Sequence, residues 1–391
     1  MLSAQTSAVR NTASQAHRLR RMGARTRAGL AALLSVALAV AVAGPASASV
    51  TDEALVTDRV TGGVVYAVAQ VGDRTIIGGD FTAVGGVPRN NVAALLPSGK
   101  VDPAFDPSPD GVVKGIAATA DGSRVFLGGD FTSVSGVPRA DVAAVDAWSG
   151  AVTEGWQADT NGMVHSLAVH GNRVYVGGTF TSIDDVSRRR LAAIDTVTGN
   201  PHLGFNPWPD WTVKSVVVSP DGSKVYAAGG FTAIGGAARP GAGEVLASTG
   251  KATTFSPSVG GVALTVALTP DGSRMFFSTT NNRMYAFDPA VSNTPVYTIQ
   301  TGGDTQAIAA TQTEVYFGGH FTNVQTHRAK RNLLASVRTS DGALMPWNPD
   351  LTGNMGPWAI ALSSDAVIVG GDFSKVGPVF QRGLAYFPGT P

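Results

Sequence analysis

The sequence predicts an all-β chain, a seven-bladed β-propeller of four-stranded blades with the ring closed by an N-terminal strand. Three observations predict it. The phrase GGDFTAVGGVPRNNVAAL at Gly78 is written again as GGDFTSVSGVPRADVAAV at Gly128, and recurs from Gly177, Ala228, Gly318 and Gly370. Its aromatic anchors Phe81, Phe131, Phe180, Phe231, Phe321 and Phe373 are spaced by 50, 49, 51, 90 and 52 residues. No helical periodicity interrupts them, and a period in this range without helices is the mark of propeller blades.

The gap of 90 holds one worn copy, RMFFSTTNNRMYAFDP from Arg274 to Pro289, which has lost its long loop and brings the units to seven. The second unit shows the elements in order. VKGIAATA (Val113 to Ala120) reads as strand A, Asp121-Gly122-Ser123 as a tight turn, and RVFLGGDFTSV (Arg124 to Val134) as strand B. After a loop, ADVAAVD (Ala140 to Asp146) reads as strand C and AVTEGW (Ala151 to Trp156) as strand D. Asp-Gly turns recur at Asp221 and Asp271, where glycine supplies the positive φ a tight hairpin needs. Strand D carries an aromatic (Phe105, Trp156, Phe205, Phe255 or Trp347), often followed closely by proline, which suits an outer edge with no ladder donor to lose. The glycine pair before each anchor marks a bulge or a close backbone approach. A phosphate-cradling loop would need a helix after it, and none follows.

The seventh unit ends after its third strand, RGLAYF. An open edge would invite pairing with another chain. The segment Val50 to Thr61 precedes the first strand A and has no other use, so it is expected to supply the missing outer strand.

Residues 1–48 have the layout of a leader. Six arginines precede the apolar run AGLAALLSVALAVAVA, and Ala46-Ser47-Ala48 forms a small-x-small site, so export by the general secretory route is expected with cleavage between Ala48 and Ser49. The apolar run is shorter than the roughly 20 residues of a membrane span. Removing the six arginines leaves 23 basic against 28 acidic residues in the propeller at 49–391. That balance excludes a basic nucleic-acid binder. With no cysteine, disulfides, thiolate metal sites, a cysteine nucleophile and a lipoprotein anchor are excluded as well.

The GG-x-F-T phrase, followed by arginine and a V-A-x-[LVI] strand, resembles the delta-60-type repeat β-propellers of secreted bacterial proteins, from about Gly62 to Phe387. It is also similar to repeats in the ectodomains of fungal polarity-marker proteins. The resemblance implies an extracellular propeller and no established reaction. The stretch AAVDAWSGAVTEGW (Ala143 to Trp156) looks like the tryptophan-docking repeat of quinoprotein propellers, where it locks blades together and does not bind the quinone.

Aligning the seven A strands on their turns gives three columns. The first reads Tyr66, Lys114, His165, Lys214, Leu264, Gln306 and Trp358. The next is small and the third apolar, as packing between blades demands. The first breaks the repeat with large polar and aromatic groups. It is therefore the candidate ligand-binding site at the mouth of the central channel: Tyr66, Lys114, His165, Lys214, Gln306 and Trp358. Two lysines, an imidazole that could be charged and two aromatics suit an anionic or carbohydrate ligand. The longer B–C loops add a secondary rim of Arg89, Arg139, Arg188, Arg239 and Arg331, whose other reading is loop bracing, with Asp80–Arg89 and Asp130–Arg139 as pairs.

Metal and catalytic signals are weak. His165 and His170 lie five apart on a strand and its turn, on opposite faces. No zinc, EF-hand or nucleophile-elbow motif is present. The expected role is therefore non-catalytic: a secreted, monomeric binding or scaffold module with no cofactor, acting on envelope polysaccharide or an extracellular protein. The alternatives are an extracellular polysaccharide hydrolase or lyase using the same face, and a redox propeller.

Overall fold

The computed structural model describes residues 49–391, and the leader expected at 1–48 lies outside them. Among the described residues the fold is all-β apart from one 3-10 turn, Gln325–His327. Seven larger antiparallel sheets follow one another along the chain, interleaved with five small ones.

Each larger sheet pairs its first three strands in sequence order, with the second in the middle. In the first sheet these are Val64–Val71, Arg74–Asp80 and Val92–Leu95, and in the second Val112–Ala118, Arg124–Asp130 and Val142–Asp146. The hairpin between the first two strands is fixed by its aspartate. Asp121 accepts from the Ser123 amide at 3.1 Å, Asp221 from Ser223 at 3.0 Å and Asp271 from Ser273 at 2.9 Å. These bonds organise the turn as the aspartate side chain folds over its own backbone.

The stretch expected as one strand B breaks into two. After the GGDF phrase the chain leaves the sheet and forms a separate small hairpin, such as Ser133–Val134 with Val137–Pro138. Asp110 holds that hairpin, accepting from the Thr132 amide at 2.8 Å and the Ser133 amide at 3.0 Å. Asp210 repeats the arrangement with Thr232 and Ala233.

The fourth strands differ from expectation. The fifth sheet has one, Tyr297–Gln300. In the other units the fourth segment makes isolated bridges, Val145 with Val152 and Ile194 with Pro201 among them. The reason is visible in the second unit. Asp146 N–H donates to Ala151 and Thr153 N–H to Ala144, and then the chain turns inward to bury its aromatic. Trp156 is fully buried, and its indole N–H donates to the Asp195 carbonyl of the next sheet at 3.0 Å. Side-chain burial ends the ladder after two bonds. Burying one such large side chain contributes about 1.5–3 kcal/mol, comparable to the net worth of about two ladder bonds.

The core lies between consecutive sheets. Ile76 and Val92 of the first pack with Val113, Leu127 and Val145 of the second. Another cluster joins Val65 and Ile77 of the first sheet to Ile368 and Leu384 of the last. The first strands touch in chain order, and strand Leu351–Leu362 of the last sheet touches Val64–Val71 of the first. The N-terminal segment runs along the outer side of the last sheet: Thr51 N–H donates to Pro388 O at 2.9 Å and Leu55 N–H to Tyr386 O at 2.8 Å.

Candidate functional site

Every first strand carries a register irregularity at one shared place, and that of the last sheet carries two more. The pairing skips a residue between Val65 and Ala67, Val113 and Gly115, Val164 and Ser166, Val213 and Ser215, Ala263 and Thr265, Thr305 and Ala307, and Pro357 and Ala359. The skipped residues are Tyr66, Lys114, His165, Lys214, Leu264, Gln306 and Trp358, the first column of the sequence. A bulged residue is released from the ladder and its side chain is re-aimed.

In five of the seven sheets a glycine pair stands opposite the bulge, and in the fourth Ala228 and Gly229 do. Gly79 lies opposite the bulge, and a Cβ there would meet Val64 O at 2.0 Å. Its neighbour Gly78 faces the next sheet, where a Cβ would meet Val113 Cγ1 at 2.7 Å. One glycine admits the bulge and the other admits close packing of the sheets. The fifth sheet has Ser278 and Thr279 in these places, and Ser278 Oγ donates to Thr305 O at 2.7 Å in the following sheet.

The released side chains converge. One cavity of about 460 Å³ is lined by Tyr66, Lys114, His165, Lys214, Gln306 and Trp358, together with Leu264 and Met163. All six sequence candidates share it. A second space of about 210 Å³ shares Lys114, His165, Gln306 and Trp358 with it and is otherwise lined by the small and apolar columns, such as Ala67, Gly115, Leu167 and Ile308. Met163 escaped the column reading because it sits two positions before the bulge. The serines of the small column do more than save space: Ser166 Oγ accepts from Val216 N–H at 3.1 Å and Ser215 Oγ from Val266 N–H at 3.3 Å, latching neighbouring sheets.

The site is wired internally. The Lys114 ammonium stands 3.1 Å from the Tyr66 ring centroid, and Trp358 meets that ring edge-on with centroids 5.4 Å apart. Gln306 donates to Asp304, which fixes its amide. Burial pushes the Lys114 pKa down, against the pull of the Asp80 and Asp130 carboxylates. Burial pushes the Tyr66 hydroxyl up, helped by Asp80 and Asp372. His165 is held down to about 4, by burial first and then by the Lys214 and Lys114 charges. The imidazole is therefore neutral at physiological pH, and no imidazolium serves the site there. Two ammonium groups, an uncharged imidazole, a carboxamide and two aromatics can stack on a ring and exchange hydrogen bonds with hydroxyl or anionic oxygens.

The five loop arginines stand elsewhere. None lines the cavity. Arg89, Arg139 and Arg188 are buried, and each donates to the carbonyl of the residue before it, Pro88, Pro138 or Ser187. Arg239 also reaches the Phe255 carbonyl at 3.1 Å, and Arg331 that of Met345 at 3.1 Å. Arg89 reaches the Asp102 carbonyl at 3.2 Å, so Arg89, Arg239 and Arg331 each tie a loop to the fourth segment of their own unit. The expected Asp80–Arg89 pair does not form: Arg89 lies 3.5 Å from Asp106, while Asp80 acts on the mouth residues. Among the described residues no group of three or more His, Cys, Asp or Glu side chains is arranged to hold a metal ion.

A family model described as a domain of unknown function (DUF5122) beta-propeller matches residues 73–105. No match was found among curated proteins. The beta-propeller domain of Cps50 (Swd1) from Myceliophteria thermophila is similar in structure, with a TM-score of 0.58 at 10% identity over 87% of this chain and 100% of that one. The WD40 beta propeller domain of Doa1 gives 0.56 at 14% identity over 85% of this chain and 97% of that one. At these identities the likeness establishes the fold as β-propeller.

Proposed function

We propose that the chain is a secreted, non-catalytic binding module. In this reading it is a propeller of seven blades, each assigned four strand positions, with the N-terminal segment in the outer position of the last blade. The leader at 1–48 directs export, and the delta-60-type repeats form one domain, 49–391. The ligand is a segment of envelope polysaccharide held at the channel mouth.

The observation that carries this reading is the convergence of six unlike side chains, each released by a bulge, on one cavity in an otherwise repetitive molecule. Repetition satisfies packing, whereas departure from it at one geometrical position needs another cause. The chemistry favours a saccharide over a bare anion, because the Asp80, Asp130 and Asp372 carboxylates offset the two lysines. Aromatic faces, a carboxamide and ammonium donors fit sugar rings and hydroxyls.

A sedimentation assay against isolated cell envelope and a panel of polysaccharides tests it. Retention by the native chain, lost in Lys114→Ala/His165→Ala/Lys214→Ala with the polymer intact, is expected. Breakdown of one polymer in the supernatant would put the hydrolase or lyase reading first. Retention unchanged in the triple variant would remove the mouth from consideration.

A further inference from the structure

The three junctions between the first four sheets share a brace on the side of the hairpin turns, whereas Lys224 and Glu314 open the second strands of the fourth and sixth sheets. Arg74, Arg124 and Arg173 each open the second strand of their sheet. Each donates to the turn after the third strand of the next sheet, to Ala147 O, Thr196 O and Ala247 O respectively. Arg74 shows the full set of contacts: its guanidinium pairs with Asp102 at 2.8 Å and stacks on Trp148 at 4.1 Å.

Where the last sheet meets the first, both halves of the brace are changed. The arginine position is Ala366, the first residue of strand Ala366–Val376. The turn facing it, Leu96-Pro97-Ser98-Gly99, is one residue shorter than Asp146 to Gly150, as the bridges Leu95–Val101 and Val145–Val152 show. A cavity of about 600 Å³ occupies the junction, within the usual size of small-ligand pockets, roughly 300–1,000 Å³. Leu96, Pro97, Ile368 and Leu384 give it apolar walls, and the carboxylates of Asp73 and Asp365 line it with no Lys, Arg or His beside them. Asp365 is oriented by Ser363 Oγ at 2.7 Å and the Tyr386 hydroxyl at 3.2 Å.

We propose that this cavity binds an alkylguanidinium group, supplied in trans where the first three junctions supply it from the chain. The apolar walls take the alkyl stem, as they do for arginine stems in proteins generally. The planar fork donates to a carboxylate and to turn carbonyls, which an ammonium matches less well. The group can come from a small cation or from an arginine of a peptide.

Calorimetric titration of the full chain with hexylguanidinium, hexylammonium and neutral hexylurea tests this. Binding of hexylguanidinium is expected, with hexylammonium about tenfold weaker because it lacks the bidentate fork. Equal binding of hexylurea, or no binding of hexylguanidinium, overturns the proposal. Ala366→Arg should restore the brace, abolish binding and raise the melting temperature. Because that variant could fail to fold, Asp73→Asn/Asp365→Asn serves as the second test, and unchanged guanidinium affinity in it overturns the proposal. A capped Gly-Arg-Gly peptide separates the sources: tighter binding of the peptide supports a protein-borne arginine, and tighter binding of hexylguanidinium supports a small cation.

Discussion

The Lys114 ammonium lies 3.1 Å from the centroid of the Tyr66 ring, and both residues are bulges on adjacent sheets. Two sheets thus meet at the mouth through a cation and an aromatic face, a contact worth about 0.5–2 kcal/mol depending on desolvation. Tyr66→Phe should keep it and leave envelope retention unchanged. Tyr66→Leu should lose it and weaken retention by about 2- to 30-fold, the same energy expressed as binding. Equal retention in all three forms would separate the contact from ligand binding.

His165 gives a second test. Its folded pKa of about 4 lies below the ordinary 6.5, with burial the main cause and Lys214 and Lys114 the next. A base with a depressed folded pKa stabilises the fold above its unfolded value, and that contribution is lost as pH falls through the folded value. The stabilisation is therefore complete above pH 6.5 and disappears near pH 4. Lys214→Ala should raise the His165 pKa toward 6.5 without reaching it, since burial remains. An NMR titration of the ring that found no change would remove the lysine charge as a cause.

The site was legible because the repeat provides its own alignment. The column Tyr66, Lys114, His165, Lys214, Leu264, Gln306 and Trp358 stood out as variable against a repeating background, and the glycine pairs pointed to a bulge. Other features were less legible, for physical reasons. Asp80 and Arg89 looked like partners because they are close in sequence, yet Asp80 acts on Tyr66 and Lys114 while Arg89 bonds the Asp102 carbonyl of the fourth segment. The fourth segments carried the right aromatics and prolines, but the pattern of a half-buried strand does not reveal how many ladder bonds survive once Trp156 turns inward. The cavity between the last sheet and the first had a partial signal, Ala366 where the first three units have Arg74, Arg124 and Arg173, which gains meaning only once the last sheet is seen against the first.

Gly370 of the last sheet faces Val65 and Val68 of the first, and a Cβ on it would meet their methyl groups at 2.5 and 2.7 Å. Gly370→Ala should overpack this junction and destabilise the chain by about 1–3 kcal/mol. Chemical denaturation reads this directly. A neutral result would mean that the first and last sheets are not held in close contact.

Asp141 sits at φ 64°, in the position that Asn91 fills in the first unit with φ 64°. Burial, and then the Asp130 carboxylate, raise its pKa from the ordinary 3.8 to about 6. An acid with a raised folded pKa stabilises the fold below its unfolded value, and this is lost as pH rises through the folded one. The carboxylate is thus a cost at pH 7 that vanishes below about pH 4. Asp141→Asn should raise stability at pH 7 by on the order of 1 kcal/mol after solvent screening, and leave it unchanged at pH 3.5. An equal gain at both pH values would trace the effect to the amide's hydrogen bonds instead of the charge.

The N-terminal segment is bonded both to the last sheet and to the fourth segment of the sixth unit. Besides Thr51 N–H to Pro388 O and Leu55 N–H to Tyr386 O, Val60 N–H donates to Arg382 O at 3.1 Å. Trp347 Nε1 donates to Thr51 O at 2.9 Å, repeating the link from Trp156 to Asp195, and Gln381 Nε2 donates to Thr57 Oγ1 at 2.7 Å. At about 0.5–1.5 kcal/mol net each, these bonds amount to several kcal/mol, before the cost of leaving buried Trp347 and Gln381 unpaired. Deleting residues 49–60 should lower the melting temperature by on the order of 10 °C. Trp347→Phe, which keeps the aromatic and removes one bond, should lower it by only about 2 °C. A deletion as stable as the parent would show that the last sheet needs no outer partner. A drop no larger than that of Trp347→Phe would confine the segment's contribution to the indole bond.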